Sequence, residues 1–294
     1  MEPTVNQSSS PRLRDVKCMS PAGFHRMAYA EWGDPANPRV LLCLHGLTRL
    51  GRDFDRLARA MAPHYRVVCP DVVGRGRSHW LRDPNYYVIP QYVSDAVALI
   101  ARLDVEEVDW VGTSMGGLMG IALAGQADAP VRRLVINDVG PRLDAAAISR
   151  IGTYLGALVS FATVDEAVDY VAVVAAPFGV KKREDWRELV EPALRKDGER
   201  WRLHYDPSIG VPFKSVTPEG AAAAEAAMWR LYDSIRCPTL LVRGEHSDLL
   251  TRETLEEMKG RGPKPATAEV PGVGHAPTFM FEHEIAIVRD FLLQ

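Results

Sequence analysis

The chain reads as an α/β fold: a mainly parallel, twisted sheet flanked by helices, with one helical insertion between core strands. Three observations carry that expectation. Short apolar runs alternate with segments of helical period on either side of the insertion. The runs are nearly continuous in apolar character, as in strands covered on both faces. Between residues 142 and 232 the strand signal gives way to helical period, over a span too long for a plain connection.

Taken in order, stretches 16–19 and 27–32, near Gly33-Asp34-Pro35, predict a leading antiparallel hairpin. Core strands are expected at 39–44, 65–70, 108–111, 133–137, 238–242 and 266–270. Helices are expected at 53–61, 92–103, 115–126, 251–259 and 282–291, because apolar residues there recur every three to four positions. Within the insertion, 145–158, 164–176 and 184–194 carry the same period. The organisation predicted is a polar, disordered lead-in over 1–17, a core made of 18–141 and 233–294, and a cap at 142–232.

With 294 residues and 47% hydrophobic content, the chain suffices for one large domain with a sizeable core. The net charge of −3 and the dispersed Lys and Arg residues argue against a nucleic-acid partner. No apolar run approaches a membrane span or a signal peptide, so a cytoplasmic location is expected. Cys18, Cys43, Cys69 and Cys237 form no C-x-x-C pair and read as reduced core thiols, not disulfides or zinc ligands. The expected partner is a small-molecule substrate, and a homo-oligomer is compatible with the composition.

Gly112-Thr113-Ser114-Met115-Gly116 sits between an apolar strand and a small-residue helix. That context presents a serine on a sharp turn, with glycine wherever a side chain would collide. Upstream, strand 39–44 ends at His45-Gly46, where the next amide, of Leu47, can face a ligand. Downstream, strand 238–242 leads into Arg243-Gly244-Glu245-His246-Ser247-Asp248, and strand 266–270 into Pro271-Gly272-Val273-Gly274-His275. A serine hydroxyl needs a base, and the base needs a buried carboxylate to fix its tautomer. The assignment is Ser114 as nucleophile, His275 as base and Asp248 as acid, with Glu245 and Asp138 as competing acids and His283 as a competing histidine. The backbone N–H groups of Leu47 and Met115 are the expected oxyanion donors. Asp71 to Ser78 is Gly-rich and basic but lacks the Gly-Lys-Ser/Thr ending of a phosphate loop, so it reads as structural.

Segments 41–48, 69–78, 112–117, 243–250 and 272–277 together resemble the α/β-hydrolase superfamily in its small, cap-bearing form, from about Phe24 onward. The resemblance implies a serine hydrolase cleaving a small or medium carboxylic ester, lactone or thioester, with no metal and no organic cofactor. It leaves open a C–C bond hydrolase of dienoate ring-fission products, although Leu47-Thr48-Arg49-Leu50 replaces the glycine-rich segment usual there. It also leaves room for a haloperoxidase or perhydrolase, and for a small-molecule receptor on the same scaffold. His45, His79, Trp80, His204 and Trp229 are the candidate pocket residues, with His45 expected to be structural.

Overall fold

The structure, a computed structural model, describes residues 10–214 and 216–294. Its first half runs β1 (Arg12–Ser20), β2 (Gly23–Trp32), β3 (Val40–Leu44), α1 (Asp55–Met61), β4 (Arg66–Pro70), α2 (Ile89–Leu103), β5 (Val108–Thr113), α3 (Met115–Ala124) and β6 (Val131–Asn137). An insertion follows: α4 (Ala145–Tyr154), β7 (Ser160–Phe161), α5 (Val164–Val174), α6 (Arg183–Val190), β8 (Leu194–Asp197), β9 (Arg200–Leu203), α7 (Val211–Lys214) and α8 (Pro218–Ser234). The chain then returns with β10 (Thr239–Gly244), α9 (Arg252–Gly260), β11 (Ala266–Val270) and α10 (Glu282–Leu292).

Eight strands form one sheet in the order β1-β2-β4-β3-β5-β6-β10-β11. β1, β2 and β4 pair antiparallel, and every pair from β4 to β11 is parallel. The expected lead-in is corrected in part: residues 12–17 belong to β1, where Val16 and Cys18 turn inward, while residues 1–9 lie outside the described part. β3 is buried at every residue, which explains its unbroken apolar sequence. α2 turns Tyr92, Ala96, Leu99, Ile100 and Leu103 inward at helical spacing. α3 is apolar all round because it is covered on every side, between the sheet, α2 and α8.

Because β3 lies between β4 and β5, the chain reverses direction across the sheet there, and the carboxyl ends of β3 and β5 open a crevice. The insertion spans this crevice. Arg56 of α1 reaches Asp185 at 2.6 Å and Glu188 at 2.5 Å, Arg49 donates to the Leu189 carbonyl at 2.9 Å, and Gly274 N–H to the Pro177 carbonyl at 2.7 Å. The insertion is not wholly helical. β7, β9 and β8 form a small antiparallel sheet of their own, two to four residues per strand and rich in Arg and Lys, so no apolar run announces it in the sequence.

Candidate active site

Ser114 stands between the end of β5 and the first residue of α3, with φ 53° and ψ −114°. A non-glycine residue there is strained, and its surroundings must over-determine it. They do: Ser114 N–H donates to the Asn137 carbonyl at 2.9 Å, and its own carbonyl receives the N–H groups of Gly117 and Leu118 at 2.8 and 3.0 Å. A Cβ on Gly112 would stand 2.1 Å from the Gly116 carbonyl oxygen, and one on Gly116 2.1 Å from that of Leu44. Only glycine allows α3 to start so close to β3 and β5.

His275 Nε2 lies 2.9 Å from Ser114 Oγ, and its Nδ1 lies 2.8 Å from Asp138 Oδ2. The sequence assignment of the acid is therefore corrected: Asp138, not Asp248, faces the imidazole. Asp138 follows β6 at φ 60° and is fully buried. Its Oδ1 accepts the Gly244 N–H at 2.8 Å and its Oδ2 the Ser247 hydroxyl at 2.7 Å. The loop after β10 makes a tight turn, Ser247 N–H to Gly244 carbonyl at 2.9 Å, which aims Ser247 inward. Asp248 is carried outward, half exposed, where Arg150 pairs with it through two 2.9 Å hydrogen bonds. Glu245 accepts the Gly272 N–H, and so steadies the loop that carries His275.

Of the two residues whose N–H groups are expected to receive an oxyanion, Met115 directly follows the serine and Leu47 lines the same cavity. The Met115 N–H opens α3, where the helix supplies no partner and its dipole favours negative charge. The Gly46–Leu47 peptide is held by His45 through the Gly46 carbonyl. Nε2 of His45 accepts the Val72 N–H at 2.9 Å, so Nδ1 carries the proton and donates to the Gly46 carbonyl at 2.7 Å. Arg49 N–H holds the same carbonyl at 3.1 Å. In a trans peptide the N–H of Leu47 points opposite to that carbonyl, and Gly46 lies against Ser114, its notional Cβ 3.7 Å from Ser114 Cβ. Burial, reinforced by the charges of Arg75 and Arg49, lowers the His45 pKa to about 3, so the ring stays neutral.

Arg75, which the sequence treated as part of a structural loop, is fully buried beneath these donors. It donates to the Leu47 carbonyl at 2.8 Å, the Val73 carbonyl at 2.7 Å and the Tyr92 hydroxyl at 3.0 Å. Among the described residues no carboxylate pairs with it, so its field favours negative charge at the neighbouring site.

A cavity of about 140 Å³ opens onto Ser114 and His275. Its walls are largely apolar, among them Ile151, Val171, Val174, Phe178 and Leu189 of the insertion. Of the five pocket candidates only His45 lines it. His79 is exposed and accepts from Arg26 at 3.3 Å. The His204 backbone joins the insertion to the core, its carbonyl receiving the Gly76 N–H at 2.7 Å. Trp229 packs edge-on against Tyr232 under the guanidinium groups of Arg142 and Arg261. Trp80 lines a second cavity nearby. The pocket residues that sequence missed lie mostly in α4 to α6, where an inward apolar residue looks like any core residue.

Among described residues the donor set at Ser114, a hydroxyl and one imidazole already engaged on both nitrogens, is not a metal-ligand set. Cys18, His25 and Asp95 do converge elsewhere, but His25 Nε2 is taken by Asp95 at 2.8 Å. All four cysteines are unpaired. No helix among the described residues is long and apolar enough to cross a membrane.

Comparison with known proteins agrees with this geometry. The chain is 59% identical over 288 residues to the 3-hydroxybutyrate-oligomer hydrolase of Cupriavidus necator, covering 97% of this chain and 98% of that one. It is 26% identical over 259 residues to the pimeloyl-[acyl-carrier protein] methyl ester esterase of Xanthomonas campestris, covering 84% and 92%. The crystal structure of an alpha/beta hydrolase from Novosphingobium aromaticivorans superimposes with a TM-score of 0.84 at 33% identity, covering 96% and 99%. Residues 41–290 match the model of the alpha/beta hydrolase family. With the sheet order, the strained serine and the engaged histidine, these likenesses make the chain a carboxylic ester hydrolase that belongs to the alpha/beta hydrolase family.

Proposed function

We propose that this hydrolase cleaves the ester bonds of short linear oligomers of 3-hydroxybutyrate through an acyl-enzyme on Ser114. His275 takes the Ser114 proton as Oγ attacks the ester carbonyl. Asp138 keeps the imidazole in the tautomer that can accept it and stabilises the imidazolium. The N–H groups of Leu47 and Met115 receive the oxyanion, donors of a kind worth about 3 to 4 kcal/mol each. The imidazolium then protonates the departing alkoxide, and water, activated by His275, releases the acyl group and restores Ser114. The cytoplasmic location expected from sequence belongs to this proposal, supported by four cysteines that stand unpaired.

The observation that carries the reading is the continuous hydrogen-bonded chain from Ser114 Oγ through His275 to Asp138, opening into an apolar cavity. Likeness to the Cupriavidus necator hydrolase supports the substrate. The test is release of 3-hydroxybutyrate from its synthetic dimer and trimer, alongside labelling by a fluorophosphonate. Ser114→Ala is expected to abolish labelling and to lower turnover by about 10⁴-fold or more. Undiminished labelling in that variant, or wild-type protein that turns over p-nitrophenyl esters but neither oligomer, would overturn the proposal.

A further inference from the structure

Beside the Ser114 cavity lies a second one, of about 160 Å³, and the two share Ala157, Val159, Leu203 and Tyr205 in their walls. Its far side is cationic. Arg195 of β8 and Arg202 of β9 stand directly opposite each other in the small sheet. Like charges so placed repel unless something negative lies between or beside them. Arg202 has Asp197 at 2.9 Å. Among the described residues Arg195 has no carboxylate partner and its buried Nε no hydrogen-bond partner; its guanidinium lies 4.8 Å from the centre of the Trp80 ring. On the other side of β9, opposite Arg202, the Ser160 hydroxyl is taken by Arg200 at 2.8 Å. Burial, and after it the nearby charge of Arg195, lowers the pKa of the His204 imidazole.

Resting on the function proposed above, we infer that Arg195, with Arg202 beside it, forms a subsite for the terminal carboxylate of the oligomer. A linear oligomer of a hydroxy acid has a hydroxyl at one end and a carboxylate at the other. When Ser114 attacks an internal carbonyl, the acyl part keeps the hydroxyl end, and the departing alcohol keeps the carboxylate. The subsite holds that departing segment, which reaches it past Leu203 and Tyr205. A paired guanidinium edge suits a carboxylate, and the stack on Trp80 presets the plane of Arg195. The device selects acid-terminated oligoesters over neutral esters of the same length.

The test compares the 3-hydroxybutyrate trimer as free acid with its methyl ester, in wild type, Arg195→Gln, Arg195→Lys and Arg202→Gln. A charge-assisted hydrogen bond supports roughly a tenfold to hundredfold preference of wild type for the acid in kcat/KM. Arg195→Gln is expected to bring that ratio within about threefold of unity, through KM for the acid, with Arg195→Lys keeping part of the preference and Arg202→Gln weakening it. Thermal unfolding of each variant separates loss of the subsite from loss of the fold. A wild type indifferent to the methyl group, or a preference that survives Arg195→Gln, overturns the subsite while leaving the proposed function intact. Failure to cleave either form of the trimer overturns both.

Discussion

Replacing Asp138 by Asn keeps the volume and removes the charge, and the hydrogen bonds around it dictate the consequence. Oδ1 accepts the buried Gly244 N–H, so the amide oxygen of Asn must stay there. The amide nitrogen then faces His275 Nδ1 across what is now a 2.8 Å carboxylate contact, and it can only donate. The imidazole proton is driven to Nε2, where it points at Ser114 Oγ and no longer leaves a lone pair to take the serine proton. A forced tautomer of this kind costs about 10⁴-fold in kcat in serine proteases, or about 5.5 kcal/mol of barrier. A loss of that order is expected here. Asp248→Asn breaks only a half-exposed ion pair with Arg150, a class of contact worth at most about 1 kcal/mol, and it leaves the imidazole untouched. Initial rates on p-nitrophenyl butyrate decide between the two, with thermal midpoints measured in parallel. An Asp248→Asn enzyme crippled 10³-fold, beside an Asp138→Asn enzyme within tenfold of wild type, would refute the assignment of the acid.

Two further predictions concern the frame around the serine. Gly116→Ala places a methyl group 2.1 Å from the Leu44 carbonyl oxygen, an overlap that the backbone must move to relieve. Denaturant unfolding is expected to show a loss of about 3 kcal/mol or more, and fluorophosphonate labelling to slow. For His45, burial depresses the folded pKa to about 3, so its contribution to stability is complete above the unfolded value of about 6.5 and is lost as pH falls towards 3. The stability difference between wild type and His45→Gln should therefore shrink by about 2 kcal/mol between roughly pH 7.5 and pH 5; a constant difference would refute the depressed pKa. Asp71 acts with the opposite sign. Burial, only partly offset by the N–H groups of Arg77 and Gly51, raises its pKa to about 6, so its cost to stability is present above that pH and fades as pH falls. Asp71 is common to both proteins and cancels in the difference.

Whatever depends on neighbours along the chain is legible in the residues alone. Buried parallel strands need apolar residues on both faces, so β3 and β5 declare themselves, and a strand-to-helix turn this tight tolerates only glycine around Ser114. His275 was legible for the same reason, as the histidine of a glycine-framed loop after the last strand. The acid was not. Asp138 and Asp248 both follow core strands, and only the side-by-side pairing of β6 with β10, together with the turn at Gly244 to Ser247, decides which carboxylate meets the imidazole. The small sheet over the site was hidden as well, since strands of two to four residues carry too little pattern to show a period. Likewise, that Arg195 and Arg202 share one cavity wall is a fact of register between strands, and strand register is chosen by contacts that form only once the chain has folded.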